Sequence, residues 1–245
     1  MEKNIYCHNL TVNFSDVGEK NELTNKGMLR LLQEIAGIHS GLLGYGVNDI
    51  PKTCLAWIIL NWKLKMFSRP KTNTMLNIKT WTRSENPLFS YRDFEVVDEN
   101  NNLVALASSK WILFDTNRKT ISKITKDIKE KYVCIEKFAF EEKINEKLLE
   151  PSDSKFIMNY TVQRRDIDTN HHVNNLNYLD FANEVLPENI YFNIEFSNVE
   201  IMYKREAKLG DIISLFYSHS GENEYTITIK DEKQKNIHTI IKLYN

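Results

Sequence analysis

"VNNLNYLDFANEVL", residues 173–186, has the length of a helix and almost no polar face. Val173, Leu176, Tyr178, Leu179, Phe181, Ala182 and Val185 are spread round its wheel. A helix that is apolar on all sides is buried rather than laid on a surface. The runs after it, "FSNVEIMYKRE" (196–206), "DIISLFYSHS" (211–220), "EYTITIKD" (224–231) and "NIHTIIKLYN" (236–245), are rich in β-branched and aromatic residues. One antiparallel sheet curling round one central helix satisfies both patterns.

The first half follows the same plan. "GMLRLLQEIAGIHSGLL" (27–43) has apolar residues at 28, 31, 32, 35, 38 and 42, a helical spacing, with Thr24 or Asn25 to cap it and "GYG" (44–46) to stop it. Strand-like runs follow at 55–67, 75–83, 88–98 and 103–115, the last two separated by the turn-forming "ENNN". "NWKLKMFSRPKTNTMLNI" (61–78) sits without a gap over "NVEIMYKREAKLGDIISL" (198–215), and the apolar alternation and mid-segment breaks coincide. This predicts an α+β chain that carries a helix-plus-sheet domain twice. The expected division is 1–120 for the first domain, 121–153 for a Lys- and Glu-crowded, solvated linker, and 154–245 for the second.

Bulk composition bounds the function. Of 245 residues, 42% are hydrophobic and 11% aromatic, which supports a real core. A net charge of −1 argues against a nucleic-acid binder, so an acidic partner must be met by a local basic patch. Cys7, Cys54 and Cys134 are far apart and show no metal-ligand spacing, which predicts neither a disulfide framework nor a metal site. The start "MEKNIYCHNLTVNF" lacks the pattern of a signal peptide, and the longest greasy run, "CLAWIILNW" (54–62), is too short to span a bilayer. A reduced, cytoplasmic setting with no membrane association is expected.

"DIDTNHHVNN" (166–175) places a carboxylate (Asp168), an amide (Asn170) and an imidazole (His172) at alternate positions before the helix. In an extended lead those side chains point to one side. A carboxylate and an imidazole cover acid–base work, while the amide or a helix N–H holds an oxyanion. The competing reading is that Asp and Asn before a helix are ordinary caps.

These residues also carry a resemblance. D-x-N-x-HVNN, Tyr178 inside the following helix, and Glu184 and Pro187 at its end resemble the acyl-acyl-carrier-protein thioesterases, whose motif is similar to DxDxNxHVNNxxY, here Asp166 through Tyr178. "LLQEIAGIHS", "AWIILNWKLKMFSRP", "YRDFEVVD" and "ASSKWILFD" look like the first half of that family, and "YKREAKLGD" (203–211) like its YRRECxxxD segment. The resemblance implies a tandem double hot-dog that hydrolyses a fatty acyl thioester on acyl carrier protein without a cofactor. The first hot-dog would bind the acyl chain, and the second would carry catalytic Asp168, Asn170, His172 and Glu206. Single-domain versions form homodimers that the tandem mimics, and a homodimer of the whole chain stays open.

Two positions depart from the family. His171 stands where a Gln is usual, so two adjacent imidazoles compete for one role, and the HVNN register favours His172. Ala207 stands where plant members carry Cys, so no thiolate is expected there. Either Glu206 or Asp168 would be the base, its pKa raised by a dry pocket. Arg164, Arg165, Lys204 and Arg205 flank the site segments and offer a meeting place for an acidic carrier protein. An acyl-coenzyme A thioesterase and a non-catalytic acyl-binding protein are the rival readings.

Overall fold

The computed structural model describes residues 4–83, 87–141, 144, 147–221 and 223–245. The chain divides into two compact units, Met1–Ile144 and Asn145–Asn245. In the first unit, β1 (Tyr6–Thr11) leads through a 3-10 turn at Phe14–Asp16 into α1 (Asn25–Leu42). A short α2 (Ile50–Thr53) precedes β2 (Leu55–Met66), β3 (Met75–Arg83), β4 (Phe89–Val97), β5 (Leu103–Asp115), β6 (Thr120–Ser122) and α3 (Lys126–Tyr132). The strands pair antiparallel in the order β1-β3-β4-β5-β2, with β6 on the end of β5.

The second unit repeats this. β7 (Lys155–Thr161) leads through a 3-10 turn at Arg164–Asp166 to α4 (Asn177–Glu184) and α5 (Glu188–Asn193). Next come β8 (Asn198–Tyr203), β9 (Ile212–His219), β10 (Glu224–Asp231) and β11 (Ile237–Tyr244), paired antiparallel as β7-β9-β10-β11-β8. The strand order is the same in both units, as the sequence repeat predicts. Each unit is a sheet with a helix against it, the hot-dog arrangement.

In the first unit α1 touches β1, β2 and β3. Met28, Leu29, Leu31, Leu32 and Ile35 are fully buried against them. Each such side chain contributes about 1.5–3 kcal/mol by leaving water. The Thr24 hydroxyl caps the helix by accepting from the Gly27 N–H at 2.9 Å. Gly27 is required there, because a Cβ would lie 2.1 Å from the Asp16 carbonyl oxygen.

The second helix is shorter than the segment 173–186 suggests, and it has a polar side. α4 buries Tyr178, Leu179, Phe181 and Ala182, while Asn183 and Glu184 face solvent. Val173, Leu176, Val185 and Leu186 are buried too, but from the turns at its ends. The Lys- and Glu-rich stretch is divided between the units. Ile124, Ile128 and Tyr132 pack on Leu113 in the first unit, and Leu148 packs on Met202 and Ile240 in the second. Lys126, Asp127 and Glu130 on α3 stay exposed, so the apolar spacing inside this charged run decides where it lies.

A buried cation stands beside α1. The Arg92 guanidinium is 5% exposed and donates to His39 Nδ1 at 2.9 Å and to the Thr80 hydroxyl at 3.3 Å. Tyr6 stacks on the imidazole at 4.9 Å. Burial lowers Arg92 to about 10. Burial and the neighbouring guanidinium lower His39 to about 4. The unfolded imidazole takes up its proton near pH 6.5, whereas the folded one resists until about pH 4, so stability is lost as pH falls through that window. With the ring partly exposed, the loss is about 1–3 kcal/mol. His39→Gln should remove that component. Urea unfolding at pH 7.5 and 4.5 measures it, and an equal pH response in both proteins would show that His39 is not its source.

Candidate active site

The site segment begins with a carboxylate that works on structure. Asp166 is 5% exposed, and its Oδ2 accepts from the Gln163 N–H at 2.7 Å and the Tyr160 hydroxyl at 2.8 Å. The chain then reverses. Asp168 N–H donates to the His172 carbonyl at 2.9 Å, His171 N–H donates to the Asp168 carbonyl at 3.1 Å, and Ile167 bridges Val173. Residues 168–172 therefore form a tight turn, not the extended lead the sequence suggests, and strand alternation does not set their directions. The turn closes because His171 takes a left-handed φ of 62°.

The helix start is likewise displaced from the cluster. α4 begins only at Asn177, and Asn174 intervenes. Its side-chain oxygen accepts from the Leu176 N–H at 2.9 Å, and its carbonyl accepts from the Asn177 N–H at 2.9 Å. These two N–H groups are satisfied within the chain, which corrects the expectation that the helix start offers them to an oxyanion.

The turn assembles the four expected residues as two pairs. Asp168 Oδ1 accepts from the Asn170 backbone N–H at 2.8 Å, and its Oδ2 lies 3.5 Å from the Asn170 side-chain nitrogen. His172 Nδ1 lies 3.2 Å from Glu206 Oε2. The His172 side chain is 28% exposed and that of Glu206 is 60% exposed. The Glu206 carboxylate thus stands in water, not in the dry pocket the sequence reading supposes. His171 is exposed at the apex of the turn, and His172 is the imidazole that meets Glu206.

Glu206 is brought to the turn by the backbone. Ala207, fully buried, accepts the Val173 N–H on its carbonyl at 2.8 Å. Residues 172 and 206 are therefore each one step before a hydrogen-bonded pair.

The first unit holds an internal control. Its turn at 18–22 makes the same bonds, Gly18 N–H to Glu22 carbonyl and Asn21 N–H to Gly18 carbonyl, both 2.9 Å. Asn21 takes φ 56°, Val17 bridges Leu23, and Leu23 N–H donates to the Pro70 carbonyl at 2.9 Å. Gly18, Lys20, Glu22 and Arg69 thus stand where Asp168, Asn170, His172 and Glu206 stand in the second unit. Arg69 serves structure, donating to the Leu23 carbonyl at 2.8 Å and to the Asn25 side chain at 3.1 Å. The backbone therefore forms this turn without the four site side chains; Asp168 caps the Asn170 N–H, but closing the turn does not require Asn170, His172 or Glu206 as side chains. The ungapped sequence repeat already pairs 69 with 206, a signal that opposite charges occupy matching places.

Cys7 and Cys134 are exposed and Cys54 is half-buried, all three free thiols in the first unit. Among the described residues no group of three or more His, Cys, Asp or Glu is arranged to hold a metal ion, and no helix is long and apolar enough to cross a membrane.

Comparison with known proteins agrees with the repeat. Residues 3–150 match the model of the acyl-ACP thioesterase N-terminal domain, and residues 149–243 that of the C-terminal domain. An oleoyl-acyl carrier protein thioesterase of Coriandrum sativum is 23% identical over 239 residues, covering 91% of this chain and 65% of its own length. Oleoyl-acyl carrier protein thioesterase 2 of Arabidopsis thaliana is 24% identical, with 89% and 64% covered, so the chain spans just under two thirds of these plant relatives. Among solved structures, an acyl-ACP thioesterase from Bacteroides thetaiotaomicron superposes with a TM-score of 0.88 at 21% identity, covering 99% of this chain and 98% of the other. A 12:0-ACP thioesterase from Umbellularia californica gives 0.85 at 18% identity, with 100% and 98% covered, and both share this fold. With one domain model matching each half of its repeat, the chain belongs to the acyl-ACP thioesterase family.

Proposed function

We propose that the protein hydrolyses the thioester of a fatty acyl group on acyl carrier protein, releasing free fatty acid and the carrier thiol. One observation carries the reading: a turn that forms in both units holds the His172–Glu206 pair in only one of them. Each carboxylate then fixes one working group. Glu206 accepts from His172 Nδ1–H, which leaves Nε2 as the basic nitrogen. Asp168 holds the Asn170 backbone N–H at 2.8 Å and lies 3.5 Å from the amide nitrogen, whose second N–H is left for a ligand.

In this mechanism Nε2 takes a proton from water as its oxygen attacks the thioester carbonyl. The oxyanion is held by the Asn170 side-chain N–H. Collapse breaks the carbon–sulfur bond, and Nε2 returns the proton to the leaving sulfur. A thiol with a pKa of about 8.5 leaves with little assistance, so activating water is the demanding step. No cysteine takes part. The first unit, whose matching turn lacks the pair, receives the acyl chain, and the setting is cytoplasmic.

Arg164, Arg165, Lys204 and Arg205 are exposed on the two segments that lead into the site. They dock the acidic carrier despite the net charge of −1. Attraction between exposed charges is screened over a Debye length of about 8 Å at physiological ionic strength. KM for acyl carrier protein substrates should therefore rise with salt, and KM for a short neutral thioester should stay level. Equal salt responses, or a higher kcat/KM on acyl-coenzyme A of matched chain length, would overturn the assignment of the carrier.

A further inference from the structure

We infer that His238, on β11, is a positioning residue for Glu206, an inference that rests on the proposed role of the His172–Glu206 pair. β8 ends at Tyr203, so Glu206 lies beyond the regular ladder, on an irregular segment with an exposed side chain. Such a segment holds a carboxylate only as well as its own anchors do.

The anchor on the carboxyl-terminal side is Ala207, bonded to Val173. The anchor on the amino-terminal side is His238. Its carbonyl accepts from the Lys204 N–H at 2.8 Å and the Arg205 N–H at 3.2 Å, and its ring Nδ1 lies 3.2 Å from the Arg205 carbonyl oxygen. Because a carbonyl only accepts, Nδ1 carries the hydrogen and donates. His238 is 7% exposed, so water competes poorly for that bond. The two backbone bonds form with any residue at position 238. The ring adds the bond that fixes the Arg205 peptide, the unit immediately before Glu206.

Loss of the ring donor lets that peptide turn, and the Glu206 carboxylate leaves the 3.2 Å geometry that orients His172. The ring touches neither substrate nor His172 in this account, so its effect passes wholly through Glu206. An asparagine places its amide nitrogen where Nδ1 of a histidine lies. A glutamine carries that nitrogen one carbon further out.

The test compares His238→Leu, His238→Asn and His238→Gln, each alone and in a Glu206→Ala background, by steady-state hydrolysis of an acyl-carrier-protein thioester. A misplacement of about 1 Å costs up to roughly a hundredfold in rate. The Leu and Gln variants should therefore lose about tenfold to a hundredfold in kcat with KM near wild type, and Asn should restore most of it. In the Glu206→Ala background all three should be nearly silent. If His238→Leu does not fold, the contrast between Asn and Gln decides. Equal losses for Asn and Gln, or a loss that multiplies in full on a slow Glu206→Ala enzyme, would overturn the brace and leave the proposed function intact. Near-normal turnover of Glu206→Ala alone would overturn both.

Discussion

His172→Ala is expected to lower kcat for thioester hydrolysis on the order of 10²–10⁴-fold, the range for losing a positioned general acid–base. Glu206→Ala removes the carboxylate 3.2 Å from Nδ1 and should be severe by the same route. The two losses should not multiply, because an imidazole without its orienting partner and no imidazole at all disable one unit. Asn170→Ala should cost on the order of 10²–10³-fold if its amide holds the oxyanion. His171→Gln should be mild, since His171 is exposed at the turn apex and its backbone makes the bond that matters there. A Cys7, Cys54 and Cys134 to Ser triple variant should keep most of its turnover. Initial rates on one acyl-carrier-protein substrate, with folding checked by circular dichroism, measure the whole set. Collapse of the folded triple variant, or near-normal rates in Glu206→Ala, would show that the chemistry runs through another group.

The largest stability effect is expected at Asp93, far in sequence from the site. Its carboxylate is fully buried on β4 and accepts from Arg83 Nε at 2.6 Å and from the Ser108 hydroxyl. Arg83 is itself nearly buried, its guanidinium 4.2 Å from the Phe138 ring and 5.1 Å from the Tyr91 ring. Asp93→Ala takes that carboxylate away from a nearly buried guanidinium. Breaking such a pair on one side costs about 3–5 kcal/mol. Replacing both charges by apolar groups is far less harmful, so Asp93→Ala combined with Arg83→Met should recover much of the loss. Urea unfolding checks this through the midpoint at unchanged slope. A loss below about 1 kcal/mol in Asp93→Ala, or no recovery in the double variant, would mean that the pair contributes little.

The sequence by itself determined the strand runs at 55–67, 75–83 and 103–115, because alternation and β-branched content are local properties that a half-buried sheet reads directly. It also determined the duplication, since matching apolar breaks at Pro70 and Leu209-Gly210 need no coordinates to align. It singled out Asp168, Asn170 and His172 as a polar cluster before the helix, and Glu206 through the resemblance of "YKREAKLGD" to a family segment.

Tertiary structure decided what depends on bonds between distant residues. The turn at 168–172 rests on a left-handed His171, and local spacing reads the same five residues as an extended lead. The start of α4 is set by Asn174, whose side chain and carbonyl take the N–H groups of Leu176 and Asn177 that would otherwise face a ligand. That His172 is the imidazole beside a carboxylate follows from Glu206, 34 positions away, delivered by the bond from Val173 to Ala207. His238 acquires a role only because β11 lies beside the end of β8. Hydrophobic periodicity encodes which face is buried, but the direction of a polar side chain at a turn is fixed by hydrogen bonds that close across the fold.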